Sequence, residues 1–395
     1  MASSSLTPSR RLLDWYDLHR RELPWRLDRD PYRVWVSEVM LQQTRVETVL
    51  PYYERFLERF PDVAALAGAE VEELLALWSG LGYYRRARQM HAAAQRVMEV
   101  HGGRFPETTE GLLDLPGIGP YTAAAVGSIC FGVVEPVMDG NVERVMARLL
   151  ALDADPKATA PRRLLVAAAA DLLDPQRPGD GNQALMELGA TVCVPRSPRC
   201  LLCPLREPGP ASPGGWEHGD GDGEGGGRFP GCRAVAEGEP EAYPPPRKRR
   251  KAKQERRVVA LVRGPQGEAG PRLLLFRRPD DSALLAGTWE LPWVEVPEVP
   301  KSPDGSAAND EFDPEAALAE RYGATWSLGS EVATVKHGIT HRSITITLHH
   351  ATLTTDGEIA EPRNRLEPGW FNLPDLADLP LSSMVTKSLK AAGIG

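Results

Sequence analysis

LLDLPGIGPYTAAAVGSICFGVVEPVMDGN, residues Leu112 to Asn141, is the stretch on which the fold of this 395-residue chain turns. It reads as an apolar turn ending in Leu-Pro-Gly-Ile-Gly, a helix of small residues, and a loop closing on Asp139-Gly140-Asn141. Pro116 ends the preceding helix, and Gly117 and Gly119 permit positive φ and close backbone approach. A new helix is expected over Tyr121–Phe131. Its first N–H groups lack intrahelical partners and carry partial positive charge, an arrangement that suits a phosphate.

Working outward, the chain is long enough for two or three domains with separate cores. No apolar run reaches bilayer length, so no membrane partner is expected. The net charge of −8 excludes a surface coated in positive charge. A nucleic-acid partner would therefore need local patches, for which Arg85-Arg86-Ala87-Arg88 and the run Arg247–Lys253 are the candidates. Lys157 is the sole lysine before Lys248.

Up to about Arg206 the apolar spacing is helical: an opening helix around Leu12–Leu18, a segment from Trp35 with Ser37 as its N-cap, then Val46–Phe60, Val71–Trp78, Tyr84–Val100, Val142–Leu150, Arg163–Leu173 and Asn182–Cys193. Residues 207–230 are rich in Gly, Pro and acid, can bury almost nothing, and are expected to be a disordered insertion. Residues 235–256 read as a Pro-rich, basic linker. Beyond them, Val258–Arg263, Leu273–Arg277 and Ile344–His349 read as strands, with Pro314–Tyr322 and Ser382–Ala391 as helices, an α+β domain over 257–395.

The five cysteines are too few and too uneven for a disulfide framework. Cys193-x6-Cys200-x2-Cys203, in a loop holding Pro195, Pro198 and Pro204, points to zinc or an iron–sulfur cluster. Either needs a fourth ligand, and Cys232 is the remaining cysteine nearby.

The cysteine spacing resembles the iron–sulfur loop of the endonuclease III, or helix-hairpin-helix, superfamily of DNA glycosylases. Gly209 stands where the family has its fourth cysteine, and Pro230-Gly231-Cys232 looks like the displaced end of that motif. LPGIG followed by Asp139 is similar to the superfamily's hairpin and catalytic aspartate. WVSEVMLQQTRVETVLPYY, WSGLGYYRRAR, MDGNVERV and NQALMELGATVC resemble its adenine-specific MutY branch. LAGTWELP (Leu285–Pro292) and Gly369-Trp370-Phe371 resemble that branch's Nudix-like module.

The resemblance implies an all-α helix-hairpin-helix glycosylase core with an iron–sulfur loop, followed by an α+β Nudix-like C-terminal domain. Residues 1–28 with 137–234 would form the cluster subdomain and 29–136 the six-helix subdomain. It implies a monofunctional hydrolase that flips out adenine mispaired with 8-oxoguanine or guanine and cuts its N-glycosidic bond. Such chemistry needs a proton for the leaving base and negative charge beside an oxocarbenium-like sugar. Glu38, in an apolar helix where burial raises its pKa, would be the acid; Asp139, ionised, would face the sugar. Tyr121 stands where relatives with lyase activity place a Schiff-base lysine, so the strand should stay intact. Tyr121 and Asn141 would hydrogen-bond around the sugar and the carboxylates.

By the same resemblance, Gln43, with Thr44 beside it, and Tyr83 would wedge into the duplex, and Arg26 and Gln183 would lie near the adenine. Gly117, Gly119, Arg85, Arg86 and Arg88 would meet phosphates. Ile339-Thr340-His341 stands where the module reads the lesion, making Thr340 and His341 its readers. Cys193, Cys200, Cys203 and Cys232 would hold a [4Fe–4S] cluster. The partner would be duplex DNA with an adenine mispair, bound by a monomer. The setting would be a prokaryotic nucleoid-containing cytoplasm, or a eukaryotic nucleus or mitochondrion. Two alternatives are a pyrimidine-lesion glycosylase with lyase activity and a non-catalytic DNA-binding protein on the same scaffold. The missing lysine opposes the first, and the two carboxylates oppose the second.

Overall fold

The computed structural model describes residues 6–210, 228–246, 252–267, 270–282, 284–297, 312–339, 342–353 and 365–394. They fall into two units, one of residues 1–67 with 92–248 and one of residues 68–91 with 249–395. The helices are α1 (Pro8–His19), α2 (Pro31–Leu41), α3 (Val46–Arg59), α4 (Val63–Ala67), α5 (Val71–Leu77), α6 (Arg85–His101), α7 (Thr109–Leu113), α8 (Pro120–Phe131), α9 (Gly140–Leu149), α10 (Thr159–Ala170), α11 (Pro178–Thr191) and a short α12 (Arg233–Ala236). Among the described residues no helix is long and apolar enough to cross a membrane.

In the first unit, α11 packs on α9, α1 and α8, and α2 packs on α8 and α3. The reason is legible in α9. Val142, Val145, Met146 and Leu149 recur at helical spacing and meet Leu12 and Tyr16 of α1 and Ala184, Leu185 and Leu188 of α11. Each large apolar side chain so buried stabilises the fold by about 2 kcal/mol. Helix α2 begins earlier than the sequence reading placed it. Pro31 occupies its first turn and the Asp30 carboxylate accepts the Arg33 N–H at 2.9 Å. Ser37 is therefore not a cap. It lies buried in mid-helix, its hydroxyl donating to the Val34 carbonyl at 2.7 Å.

The hairpin before α8 uses its glycines differently from one another. Gly117 takes φ +75°, whereas Gly119, the N-cap, sits at φ −97° in extended backbone with no side chain capping the helix.

Two short strands, β1 (Gly209–Pro210) and β2 (Arg228–Phe229), pair antiparallel around the insertion, whose residues 211–227 lie outside the described residues. The presumed linker is also not free throughout. Arg148 of α9 donates to the Tyr243 carbonyl at 3.1 Å, and Glu241 accepts the Ser197 N–H at 2.8 Å, so the chain up to Pro246 stays with the first unit. Residues 247–251 of the basic run lie outside the described residues.

The second unit is built on a mixed sheet of β3 (Lys253–Gly267), β4 (Gly270–Arg277), β5 (Trp289–Glu290), β6 (Trp293–Val296), β7 (Trp326–Ile339), β8 (Arg342–Leu353) and β9 (Glu367–Asn372), with helices α13 (Pro314–Tyr322) and α14 (Ser383–Ala391). The order is β5-β4-β3-β8-β7, with β6 beside β3 and β9 beside β4; β3 and β8 run parallel. Alternation sorts the strands onto two faces. Val259, Leu261, Leu273, Leu275, Ile344, Ile346 and Leu348 meet Met384, Val385 and Leu389 of α14. Ala260, Val262, Leu274 and Phe276 meet Leu318 and Tyr322 of α13.

The all-α core followed by an α+β domain matches the sequence reading. Residues 68–91, expected within the 29–136 subdomain, group with the C-terminal residues. Polar ties explain this: Tyr84 and Ser79 donate to the Leu381 carbonyl, Arg88 pairs with Asp280, and Arg277 with Glu72. The sheet also starts at Lys253, inside the expected linker.

Candidate active site

Helices α2, α8, α9 and α11 converge on a cavity of about 380 Å³ in the first unit, within the range of small-molecule pockets. Glu38 of α2, Tyr121 from the first turn of α8, Asp139 and Asn141 at the start of α9, and Gln183, Met186 and Glu187 of α11 line it, with Arg26 and Thr44. No lysine is among the lining residues.

Glu38 is 6% exposed. Its carboxyl is pushed up to about 7, chiefly by burial, with the nearby charge of Asp139 adding to the effect and the Tyr121 hydrogen bond and Arg26 opposing it. The Tyr121 hydroxyl donates to Glu38 Oε2 at 2.6 Å. Burial and the two acidic neighbours hold the phenol well above its ordinary value, so it remains a neutral donor. In the neutral acid, Oε2 accepts from Tyr121 and the proton is left to Oε1.

Asp139 is not a simple loop residue. It is the N-cap of α9: Oδ1 accepts the Asn141 and Val142 amides at 2.9 and 2.7 Å, and Oδ2 accepts Asn141 Nδ2 at 3.0 Å. Burial pushes its carboxyl up, and those donors together with Arg144 limit the rise by favouring the charged form. Arg144 braces this corner from behind, donating to Asn141 Oδ1 at 2.9 Å and to the carbonyls of Gly189 and Cys193, both at 2.8 Å.

Sequence reasoning missed three residues that shape the site. Glu187 is a fully buried carboxylate bound by Arg21 at 2.7 Å and Arg26 at 2.8 Å. Burial pushes it up, but the two guanidinium groups win and hold it below its ordinary value. Asn182, fully buried, donates to Ser128 Oγ and the Glu135 carbonyl and accepts the Val137 amide, fixing the strand of chain that delivers Asp139. Arg144 is the third. The available signal was polar residues on apolar helix faces: Asn182 and Glu187 alternate with Leu185 and Leu188 along α11.

Gln43 lies exposed in the turn after α2, at φ +61°. Tyr83 belongs to the second unit, 47% exposed and at φ +51°. Arg86, expected at a phosphate, is buried instead. It donates to the Leu81 and Gly82 carbonyls at 3.2 Å, lies over the Trp78 ring, and is pushed down to about 10 by burial. A side chain so used supports its own loop. Arg88 likewise bonds Asp280, leaving Arg85 as the exposed arginine of the three. Thr340 and His341 lie outside the described residues.

Cys193, Cys200, Cys203 and Cys232 line one small cavity with Arg148. The β1–β2 ladder closes the insertion, and the Cys232 amide donates to the Arg206 carbonyl at 3.0 Å, which returns the chain beside Cys203. Among the described residues no three ligands stand close enough for a single metal ion. Four thiols lining one cavity are the donor type that an iron–sulfur cluster takes.

Residues 36–168 match the family model of the HhH-GPD superfamily base excision DNA repair protein, and residues 258–391 that of the NUDIX domain. The chain is 42% identical over 334 residues to an adenine DNA glycosylase of Rattus norvegicus, covering 73% of this chain and 60% of that one. It is 36% identical over 319 residues to an adenine DNA glycosylase of Schizosaccharomyces pombe, covering 72% and 68%. A solved thermostable thymine-DNA glycosylase is 30% identical, covering 49% and 90%, with a TM-score of 0.46. The chain spans about 60% of the length of its rat and mouse relatives.

Proposed function

This chain belongs to the adenine DNA glycosylase family, and we propose that it hydrolyses the N-glycosidic bond of adenine mispaired with 8-oxoguanine or guanine in duplex DNA, leaving the strand intact. One observation carries the reading: a buried carboxyl raised to about 7 and bonded to a tyrosine where a lyase needs a lysine.

The extruded adenosine enters the cavity lined by Glu38 and Asp139. Glu38, neutral below about pH 7, gives its proton to the base as the bond to the sugar lengthens, so adenine leaves neutral. Asp139, whose charged form its cap donors favour against burial, stands against the positive charge that grows on the sugar. Water completes the hydrolysis, and its proton returns to the site. Tyr121 orients Glu38, and Asn141 orients Asp139. Arg26 and Gln183 contact the base, Gln43 with Thr44 and Tyr83 fill the gap in the duplex, and the α8 amides beyond Gly117 and Gly119 receive a phosphate. Thr340 and His341 read the opposite lesion. Glu315 and Glu320 stand five apart on α13 and so on different faces, which speaks against pyrophosphate hydrolysis by the C-terminal unit.

Cys193, Cys200, Cys203 and Cys232 would hold a [4Fe–4S] cluster, whose contribution is to pin the loop that Arg144 and Arg148 tie to α9. The enzyme would act on duplex DNA as a monomer, in a nucleoid, nucleus or mitochondrion. Single-turnover cleavage of duplexes carrying adenine opposite 8-oxoguanine, or thymine glycol, tests the activity before and after alkali. Alkali-dependent breaks at adenine alone are expected. Breaks without alkali, or borohydride trapping of protein on DNA, refute the monofunctional mechanism.

A further inference from the structure

The loop between α5 and α6 carries Tyr83, placed above in the gap that the extruded adenine leaves, next to the base the adenine had faced, and the inference here rests on that reading. Tyr83 keeps φ +51° although it is not glycine, a conformation that persists only when the surroundings impose it. Two sets of bonds impose it. Within the loop, Arg86 donates to the Leu81 and Gly82 carbonyls at 3.2 Å, and Trp78 Nε1 donates to Gly82 at 3.0 Å. From the C-terminal residues, the Leu381 carbonyl accepts the buried Tyr84 hydroxyl at 2.5 Å and the Ser79 hydroxyl at 3.0 Å.

That carbonyl is itself immobilised. Leu381 is bridged to Trp289, the Trp289 amide donates to Pro380 at 3.0 Å, and the Trp289 ring packs edge-on against Phe371 with centroids 4.6 Å apart. The contact is built closely elsewhere too. Arg88 reaches Asp280 at 2.7 Å past Gly287, where a Cβ would fall 1.9 Å from the guanidinium.

We propose that Tyr84 is a positioning residue for recognition of the opposite base. Its hydroxyl, through the Leu381 carbonyl, fixes Tyr83 against the C-terminal sheet, so that preference for 8-oxoguanine over guanine depends on a bond outside both reading groups. Removing the hydroxyl leaves the ring packed and the Ser79 bond in place, yet lets the Tyr83 backbone relax toward an ordinary conformation.

The test measures single-turnover adenine excision opposite 8-oxoguanine and opposite guanine, with the full chain as wild type, Tyr84→Phe, Tyr83→Ala and the double variant. Tyr84→Phe should narrow the ratio of the two rates about five- to tenfold, the size expected of one buried hydrogen bond. The decline in rate above pH 7 should be unaltered, since that belongs to Glu38. In the Tyr83→Ala background the second substitution should narrow the ratio no further. A Tyr84→Phe ratio equal to that of wild type overturns the proposal. So does a fully additive double variant, which would make Tyr84 a packing residue. Failure of the underlying reading looks different, because wild type itself would then excise no adenine, or excise it equally from both duplexes, and the inference falls with it.

Discussion

Replacing Glu38 with glutamine separates the physics of the site from its chemistry. The carboxyl ionises near 4.5 in an unfolded chain and near 7 in the folded one, chiefly because it is buried. Between those values the folded protein holds a proton that the unfolded chain has released, so stability falls as pH rises through the window. Below pH 4.5 Glu38 costs nothing. Above pH 7 the full shift applies, about 3 kcal/mol. Glutamine keeps the acceptor for the Tyr121 hydroxyl and never ionises. Glu38→Gln should therefore match wild type near pH 4.5 and be more stable by about 1–3 kcal/mol at pH 8, allowing for imperfect amide packing. Urea unfolding at the two pH values measures the difference. Single-turnover adenine excision should meanwhile fall at least about a hundredfold, the usual contribution of a general acid. Wild-type excision should decline as pH rises through about 7, because the acid form is the working one. A stability difference that does not grow with pH would refute the buried-acid argument. Full activity in Glu38→Gln would remove Glu38 as the proton donor even if the stability result holds.

Other substitutions probe the scaffold. Asn182→Ala leaves the Val137 amide and Glu135 carbonyl without their buried partner and should cost about 2–3 kcal/mol in urea unfolding. Gly189→Ala would set a Cβ 2.6 Å from the Asn141 Cβ, so α9 must shift and excision should fall, about tenfold or more, with Asp139 displaced. Unaltered excision would show that the α9–α11 contact can yield without cost. Cys232→Ser in anaerobically purified protein should lose broad visible absorption and iron content, whereas unchanged iron would mean that the cluster takes another fourth ligand.

Much of this protein can be read from its residues in order. Helical spacing located the elements of the first unit because each apolar stripe is local, and alternation did the same for β3, β4 and β8. The strand β7 escaped notice: Trp326–Ile339 exposes much of its length at the edge of the sheet, so its alternation is diluted by Gly329, Glu331 and Lys336. Ser37 was misread as a cap because a polar residue inside a helix looks like one until Asp30 and Pro31 are seen to start it. Arg86 was misread because an Arg-Arg-Ala-Arg run does not reveal which side chain turns inward.

The sequence by itself offered Glu38 and Asp139, the tyrosine in place of lysine and the cysteine set as candidates, through the family resemblance of its motifs, and it determined the division into helical and mixed-sheet parts. The candidates rest on that resemblance, and the division rests on residue type and short spacing. Only the tertiary structure decided that Glu187 is neutralised by Arg21 and Arg26, that Cys232 returns beside Cys203, and that Leu381 receives Tyr84. Those partners stand 166, 161 and 297 residues apart in the two ion pairs and the Tyr84 bond. At such separations nothing local links them. Burial, which makes Glu38 a weaker acid and forces each buried polar group to find a partner, is a property of the packed chain alone.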